Sequence, residues 1–167
     1  MERTHTCLCF LTRPDAAGQA TVLLGRKKTG LGAGKVVGLG GKVEAGESAV
    51  EAVVREVTEE SGLVVAPADL RQAAVVDFRF PVRPAWDQWA TVFVTARAAG
   101  EPYETDEIAP VWFPVDRLPL ADMWDDARHW LPQVLAGRTI EADFVFADDC
   151  DSVASATVRA IPAPNRL

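Results

Sequence analysis

Apolar and polar positions along this chain change period several times, and each change marks a different element. Residues 6–11 and 21–24 are short β-prone runs separated by Arg13-Pro14-Asp15-Ala16-Ala17-Gly18, whose proline and glycine favour a turn, so the pair is predicted to form a hairpin. Further on, Val50, Val53, Val54 and Val57 recur at the i, i+3, i+4 and i+7 positions of one helical stripe. Ser48-Ala49-Val50-Glu51 has the form of a capping box and Gly62 is a natural stop, so a helix is predicted to follow Ser48 and run to about Ser61. Strands are predicted at 73–80, 89–96 and 111–115, a second helix at 126–135 ended by Gly137, and two final strands at 140–146 and 152–161. Strands outnumber helices and do not alternate regularly with them, which predicts an α+β chain with helices packed on a mixed sheet.

Between the hairpin and the first helix the pattern is lost. Gly25, Gly30, Gly32, Gly34, Gly38, Gly40, Gly41 and Gly46 are too dense for the interior of a helix or a strand, so residues 25–46 are expected to form a loop. It is not a phosphate loop of the Walker kind, because Gly34-Lys35 is followed by Val36 where Ser or Thr is required.

The 167 residues, 49% hydrophobic and 25% charged, fit one domain over residues 1–161, with a tail at 162–167 expected to fray. Twenty-four acidic against 17 basic side chains leave a net charge of −7, so a nucleic-acid polymer is not an expected partner. A small phosphate ester still fits if divalent cations bridge the two anions. Cys7, Cys9 and Cys150 make no disulfide framework; the first two alternate in an apolar run and are expected to be buried thiols on one strand face. The odd cysteine count fits a reducing compartment, residues 1–15 lack the apolar stretch of a signal peptide, and no window has the apolar length of a membrane span. The expectation is a cytoplasmic protein, away from membranes, with nothing demanding more than a monomer.

Glu56, Glu59 and Glu60 share one strip of the predicted helix, beside the valines. Two explanations compete: a solvated acidic face offset by Arg55, or a nest of hard oxygen ligands for Mg²⁺ or Mn²⁺. The string from Gly41-Lys42-Val43-Glu44-Ala45-Gly46-Glu47-Ser48 through Arg55-Glu56-Val57-Thr58-Glu59-Glu60-Ser61-Gly62-Leu63 decides between them. It follows the pattern G-x5-E-x7-R-E-U-x-E-E-x-G-U, U being bulky and aliphatic, and on it the chain resembles the Nudix hydrolases.

That resemblance implies an α/β/α sandwich, the Nudix fold, in which a loop, helix and loop hold divalent cations against a nucleoside diphosphate linked to another group. Carried onto this sequence, Glu56 and Glu60 would be the main metal ligands, with the Gly40 carbonyl a further one. Glu59 would ligate metal or orient the attacking water, and Arg55 would pair with Glu47, so that Glu47, Arg55, Glu56 and Glu59 form the catalytic group.

Over roughly residues 6–159 the chain is most similar to the mammalian-type 8-oxo-dGTPases, homologues of MutT. In the segment 22–35, Lys27 matches a lysine near the phosphates, and Leu31 an aromatic bordering the base pocket. In Thr105-Asp106-Glu107-Ile108, Glu107 matches a further metal ligand. Asp122-Met123-Trp124-Asp125-Asp126-Ala127-Arg128-His129-Trp130 is similar to D-M-W-x-D-D-x-x-W, which implies Trp124 stacking on a purine and Asp126 accepting hydrogen bonds from its edge. Thr6, Val37, Gly41 and Phe78 would complete the substrate-binding wall, with Phe80, Trp86 and Trp89 as further candidates. Against this, Trp124 and Trp130 could be core anchors flanking a helix cap at Asp125 or Asp126.

Two departures concern the base pocket: Ala127 stands in place of the second aspartate, and Val36-Val37 in place of Trp-Asn. His5 and His129 have no motif around them. The function implied is Mg²⁺-dependent (or Mn²⁺-dependent) hydrolysis of oxidised purine nucleoside triphosphates, 8-oxo-dGTP first, by attack at the β-phosphorus, giving a monophosphate and pyrophosphate. The alternatives are another nucleoside diphosphate derivative, such as a methylated purine triphosphate or ADP-ribose, and a catalytically silent nucleotide-binding module.

Overall fold

The strand β1 (Thr4–Pro14) is the axis of the molecule in this computed structural model, which describes residues 2–163. Its alternation serves two cores: Cys7, Cys9 and Leu11 enter one buried cluster, Phe10 and the partly buried Leu8 the other. β2 (Ala20–Lys27) folds back on its end with Thr12 opposite Val22, as the hairpin pattern predicted. Asp15 builds the turn by accepting the backbone N–H groups of Ala17 and Gln19, each at 2.9 Å.

The glycine-rich stretch is not a loop throughout, which corrects the expectation for 25–46. Val36–Val37 (β3) pairs with β2, and Leu39–Lys42 (β4) runs antiparallel to β1 with Gly41 opposite Cys7. Glycine is required there by crowding. A Cβ on Gly40 would collide with the Cys7 carbonyl, and one on Gly41 with the Glu56 carboxylate.

Helix α1 (Ala49–Ser61) forms where the valine stripe placed it. Ser48 Oγ accepts the Glu51 N–H at 3.1 Å while the Glu51 carboxylate accepts the Ser48 N–H at 2.7 Å, so two otherwise unpaired donors are satisfied reciprocally. Gly62 ends the helix at φ 77°, its N–H bonded to the Thr58 carbonyl. Ala52, Val53 and Val57 are buried against the cluster containing Cys7 and Cys9. Each fully buried valine contributes roughly 1.5–3 kcal/mol, and a charge at either position would detach the helix from the sheet.

β5 (Arg71–Arg79), β6 (Gln88–Thr95), β7 (Ile108–Pro114), β8 (Thr139–Phe146) and β9 (Val153–Ile161) complete the strands among the described residues. The order is β3-β2-β1-β6-β5-β8-β9, with β4 added to β1 and β7 to β2. β1 with β6 and β5 with β8 are parallel, and the other pairs antiparallel, so the sheet is mixed as expected. Helix α2 (Ala127–Leu135) buries Ala127, Trp130, Leu131 and Val134 on the face opposite α1. The result is the α/β/α sandwich.

Cys7 and Cys9 are fully buried, and burial pushes their thiols up to about 11 and about 12. Among the described residues no helix is long and apolar enough to cross a membrane. Of the tail expected at 162–167, residues 164–167 lie outside the described residues.

Candidate active site

Three carboxylates from two distant parts of the chain meet beside the end of α1. One oxygen from each of Glu56, Glu60 and Glu107 lies within 4.8 Å of the others. Glu56 and Glu60 share the helix face turned to β4, and the Gly40 N–H donates to Glu60 at 2.7 Å. Glu107 arrives on the segment before β7, held by Thr105. The Thr105 hydroxyl donates to the Glu60 carbonyl at 3.0 Å and accepts the Glu107 N–H at 3.3 Å.

This cluster is held at an electrostatic cost. Glu60 is 5% exposed, and burial pushes its carboxyl up to about 7 against the opposing hydrogen bond from Gly40. Burial raises Glu56 as well, and Glu59 and Glu107 add to the effect. Only oxygen donors converge here, which is the set that a hard divalent cation takes, and the cation's charge removes the penalty that keeps the group proton-hungry. The residues fit such an ion.

Arg55 braces the cluster. Its Nε and Nη2 donate to the two Glu47 oxygens at 2.8 and 3.0 Å, and its Nη1 to Glu56 at 2.9 Å. The same guanidinium reaches the Lys42 carbonyl at 3.1 Å, so loop, strand and helix are tied at one point. The pairing with Arg55 holds the Glu47 carboxyl down at about 2. Glu59 is not gathered with the three carboxylates; its exposed side chain meets Arg55 at 3.3 Å.

From Glu60 a cavity of about 510 Å³ runs along the α2 face of the sheet, a size suited to a nucleotide. All eight residues expected on the substrate wall line it: Lys27, Gly41 and Thr6 together with Leu31, Val37, Phe78, Trp124 and Asp126. Phe80 and Trp86 line it too. Trp89 does not, which corrects its place among the candidates: strand alternation puts it on the other face, stacked on His5 with centroids 3.6 Å apart. Sequence reasoning passed over Gln88 and Thr4, which also line the cavity; the signal available was their position on the same strand face as Thr6.

At the far end Trp124 is half-buried, edge-on to Phe80 and Phe146. Lys35 Nζ sits 4.8 Å from its ring centroid and 2.7 Å from Asp151. Trp130 is the core anchor, 3% exposed, and its indole N–H donates to Asp126 at 2.7 Å. Asp126 precedes the helix but makes no side-chain cap bond, and burial pushes its carboxyl up to about 6.

A family model described as NUDIX domain matches residues 2–134. The oxidized purine nucleoside triphosphate hydrolase of Mus musculus is 37% identical over 140 residues, covering 84% of this chain and 87% of that protein. Among solved structures, the MutT protein of Bacillus halodurans has the same fold, with a TM-score of 0.75 at 22% identity, covering 93% of this chain and 97% of that one. The bifunctional NMN adenylyltransferase/ADP ribose pyrophosphatase of Francisella tularensis, determined with AMP and a manganese ion, superposes with a TM-score of 0.64 at 16% identity, over 81% of this chain and 42% of that one. With a carboxylate cluster suited to a divalent cation and a family model spanning most of its length, the chain belongs to the NUDIX family.

Proposed function

We propose that this chain hydrolyses oxidised purine nucleoside triphosphates, 8-oxo-dGTP first, to the monophosphate and pyrophosphate with Mg²⁺ or Mn²⁺ as cofactor. The observation that carries the reading is the junction at Glu60, which belongs both to the carboxylate cluster and to the wall of the nucleotide-sized cavity. A triphosphate chain over the cluster leaves its base among Leu31, Phe78, Trp124 and Asp126. The name of the mouse relative points to the same substrate class.

Glu56, Glu60 and Glu107 would hold the cation, with the Gly40 carbonyl as a further ligand. When bound, it neutralises phosphoanhydride charge and lowers the pKa of water. The protein's own groups do the rest. Glu59, free of the cluster and at the solvent edge, orients the attacking water. Arg55, fixed by both oxygens of Glu47, holds Glu56 in its ligating position and keeps Glu47 ionised across the neutral range. Lys27, on the cavity wall, neutralises a phosphate. Trp124 stacks on the base, and Asp126 engages its edge through the carboxylate oxygen that Trp130 does not occupy.

The test is kcat/KM for 8-oxo-dGTP and dGTP with Mg²⁺, released pyrophosphate and orthophosphate being distinguished. Pyrophosphate release with a clear preference for the oxidised substrate is expected. Orthophosphate release, or equal rates on both nucleotides, would overturn the reading.

A further inference from the structure

The floor of the cavity is built by alternation along three neighbouring strands. Thr4, Thr6 and Leu8 of β1 face α2, and the register sets Thr4 beside Gln88 and Thr6 beside Ala90 on β6. On the other side of β6, Phe78 of β5 is the direct partner of Gln88. Gln88 therefore lies mid-floor, flanked by Thr4 and Phe78, in the cavity whose wall includes Trp124 and Asp126.

The Gln88 carboxamide is half-buried and has no hydrogen-bond partner among the described residues. Beside it, the Thr4 hydroxyl and one Asp126 oxygen are open to a base, but neither side chain is a carboxamide. Val37 and Ala127 offer no polar side-chain atom, the Thr6 hydroxyl donates to the Trp89 carbonyl at 3.2 Å, and one Asp126 oxygen is taken by Trp130. Unlike Asp126 when ionised, which only accepts, a carboxamide presents a donor and an acceptor side by side.

That pairing matches one chemical difference between an oxidised and an unmodified purine. Guanine shows two acceptors on the edge formed by N7 and O6. Oxidation at C8 puts a proton on N7, so the same edge becomes a donor next to a carbonyl. Gln88 Oε1 can then accept from N7–H while Nε2–H donates to O6, whereas unmodified guanine leaves Oε1 facing a second acceptor. We propose that Gln88 is a specificity-determining residue that reads the N7–H and C6 carbonyl of 8-oxoguanine, supplying the amide that Val37 lacks. This rests on the function proposed above.

The experiment measures kcat and KM for 8-oxo-dGTP and dGTP in the wild type, Gln88→Leu and Gln88→Glu. Gln88→Leu is expected to lower the preference for 8-oxo-dGTP by about 5- to 100-fold, the scale of one bidentate base contact, mainly through KM. Gln88→Glu, which keeps the acceptor and loses the donor, should fall between. Turnover of dGTP should fall less, since that nucleotide can share only the contact to O6, and a thermal unfolding midpoint close to that of the wild type is the control for folding. An unchanged preference in both variants overturns the role of Gln88 and leaves the proposed function standing. Equal loss on both nucleotides marks Gln88 as part of the scaffold and also overturns it. A wild type with no preference overturns the proposed function itself, and the reading of Gln88 with it.

Discussion

The indole N–H of Trp130 donates to Asp126 Oδ2 across one helical turn, at 2.7 Å and out of contact with solvent. The bond ties a carboxylate of the cavity wall to a core side chain. Burial outweighs it, so the Asp126 carboxyl rises from its ordinary value of 3.8 to about 6. Being raised on folding, this acid holds its proton more tightly in the folded chain than in the unfolded one. Its contribution to stability is therefore fully present below about pH 4 and is lost as pH rises through about 6. Comparing unfolding free energies of the wild type and Asp126→Asn between pH 4 and 7 should show the wild type losing about 3 kcal/mol relative to the variant. A difference that stays flat over that range would show that Asp126 titrates normally.

Glu56 lies against Gly41 and shares the cluster with Glu60 and Glu107. Removing its charge while keeping its shape, in Glu56→Gln, is expected to lower kcat by two to three orders of magnitude, on the order of losing one charge-stabilising contact in a reaction centre. Steady-state turnover at saturating Mg²⁺ measures it. Turnover like that of the wild type would remove Glu56 from the mechanism.

Arg55 binds both oxygens of Glu47 and also reaches Glu56, a fork geometry that lysine cannot copy. Arg55→Lys should therefore raise the Mg²⁺ concentration for half-maximal activity by about 10- to 100-fold, the usual effect of loosening a group that orients a metal ligand. Activity is expected to recover in part at high Mg²⁺. A metal titration that superposes on the wild type is incompatible with this bracing role.

Gly62 carries φ 77° at the end of α1, and a Cβ there would overlap the Tyr103 ring. Tyr103 is exposed and can swing away, so the backbone conformation, not the ring, sets the cost. Gly62→Ala is expected to cost about 1 kcal/mol in urea unfolding, and nearly the same in a Tyr103→Ala background. Restoration of full stability in that background would assign the cost to the ring instead.

How far the sequence reached depended on the range of the interaction involved. The capping box, the valine stripe and the strip of Glu56, Glu59 and Glu60 were legible because helical neighbours are set by local spacing. β3 and β4 were not legible, since glycines 38, 40 and 41 look like a loop until the neighbouring Phe10, Cys7 and Glu56 show why a side chain is excluded. Trp89 was a candidate for the pocket because composition does not give strand phase. Its stacking on His5 is a consequence of register.

By itself, then, the order of residues determined the mixed sheet, its two helices and the acidic strip, all of which follow from local periodicity and one long motif. Only the tertiary structure decided that Glu59 stands outside the cluster of Glu56, Glu60 and Glu107, and that Gln88 lies on the floor of the cavity lined by Trp124 and Asp126. Those relations are set by which strands pair and which faces the helices cover. Such contacts join residues far apart in the chain, where spacing carries no information about distance.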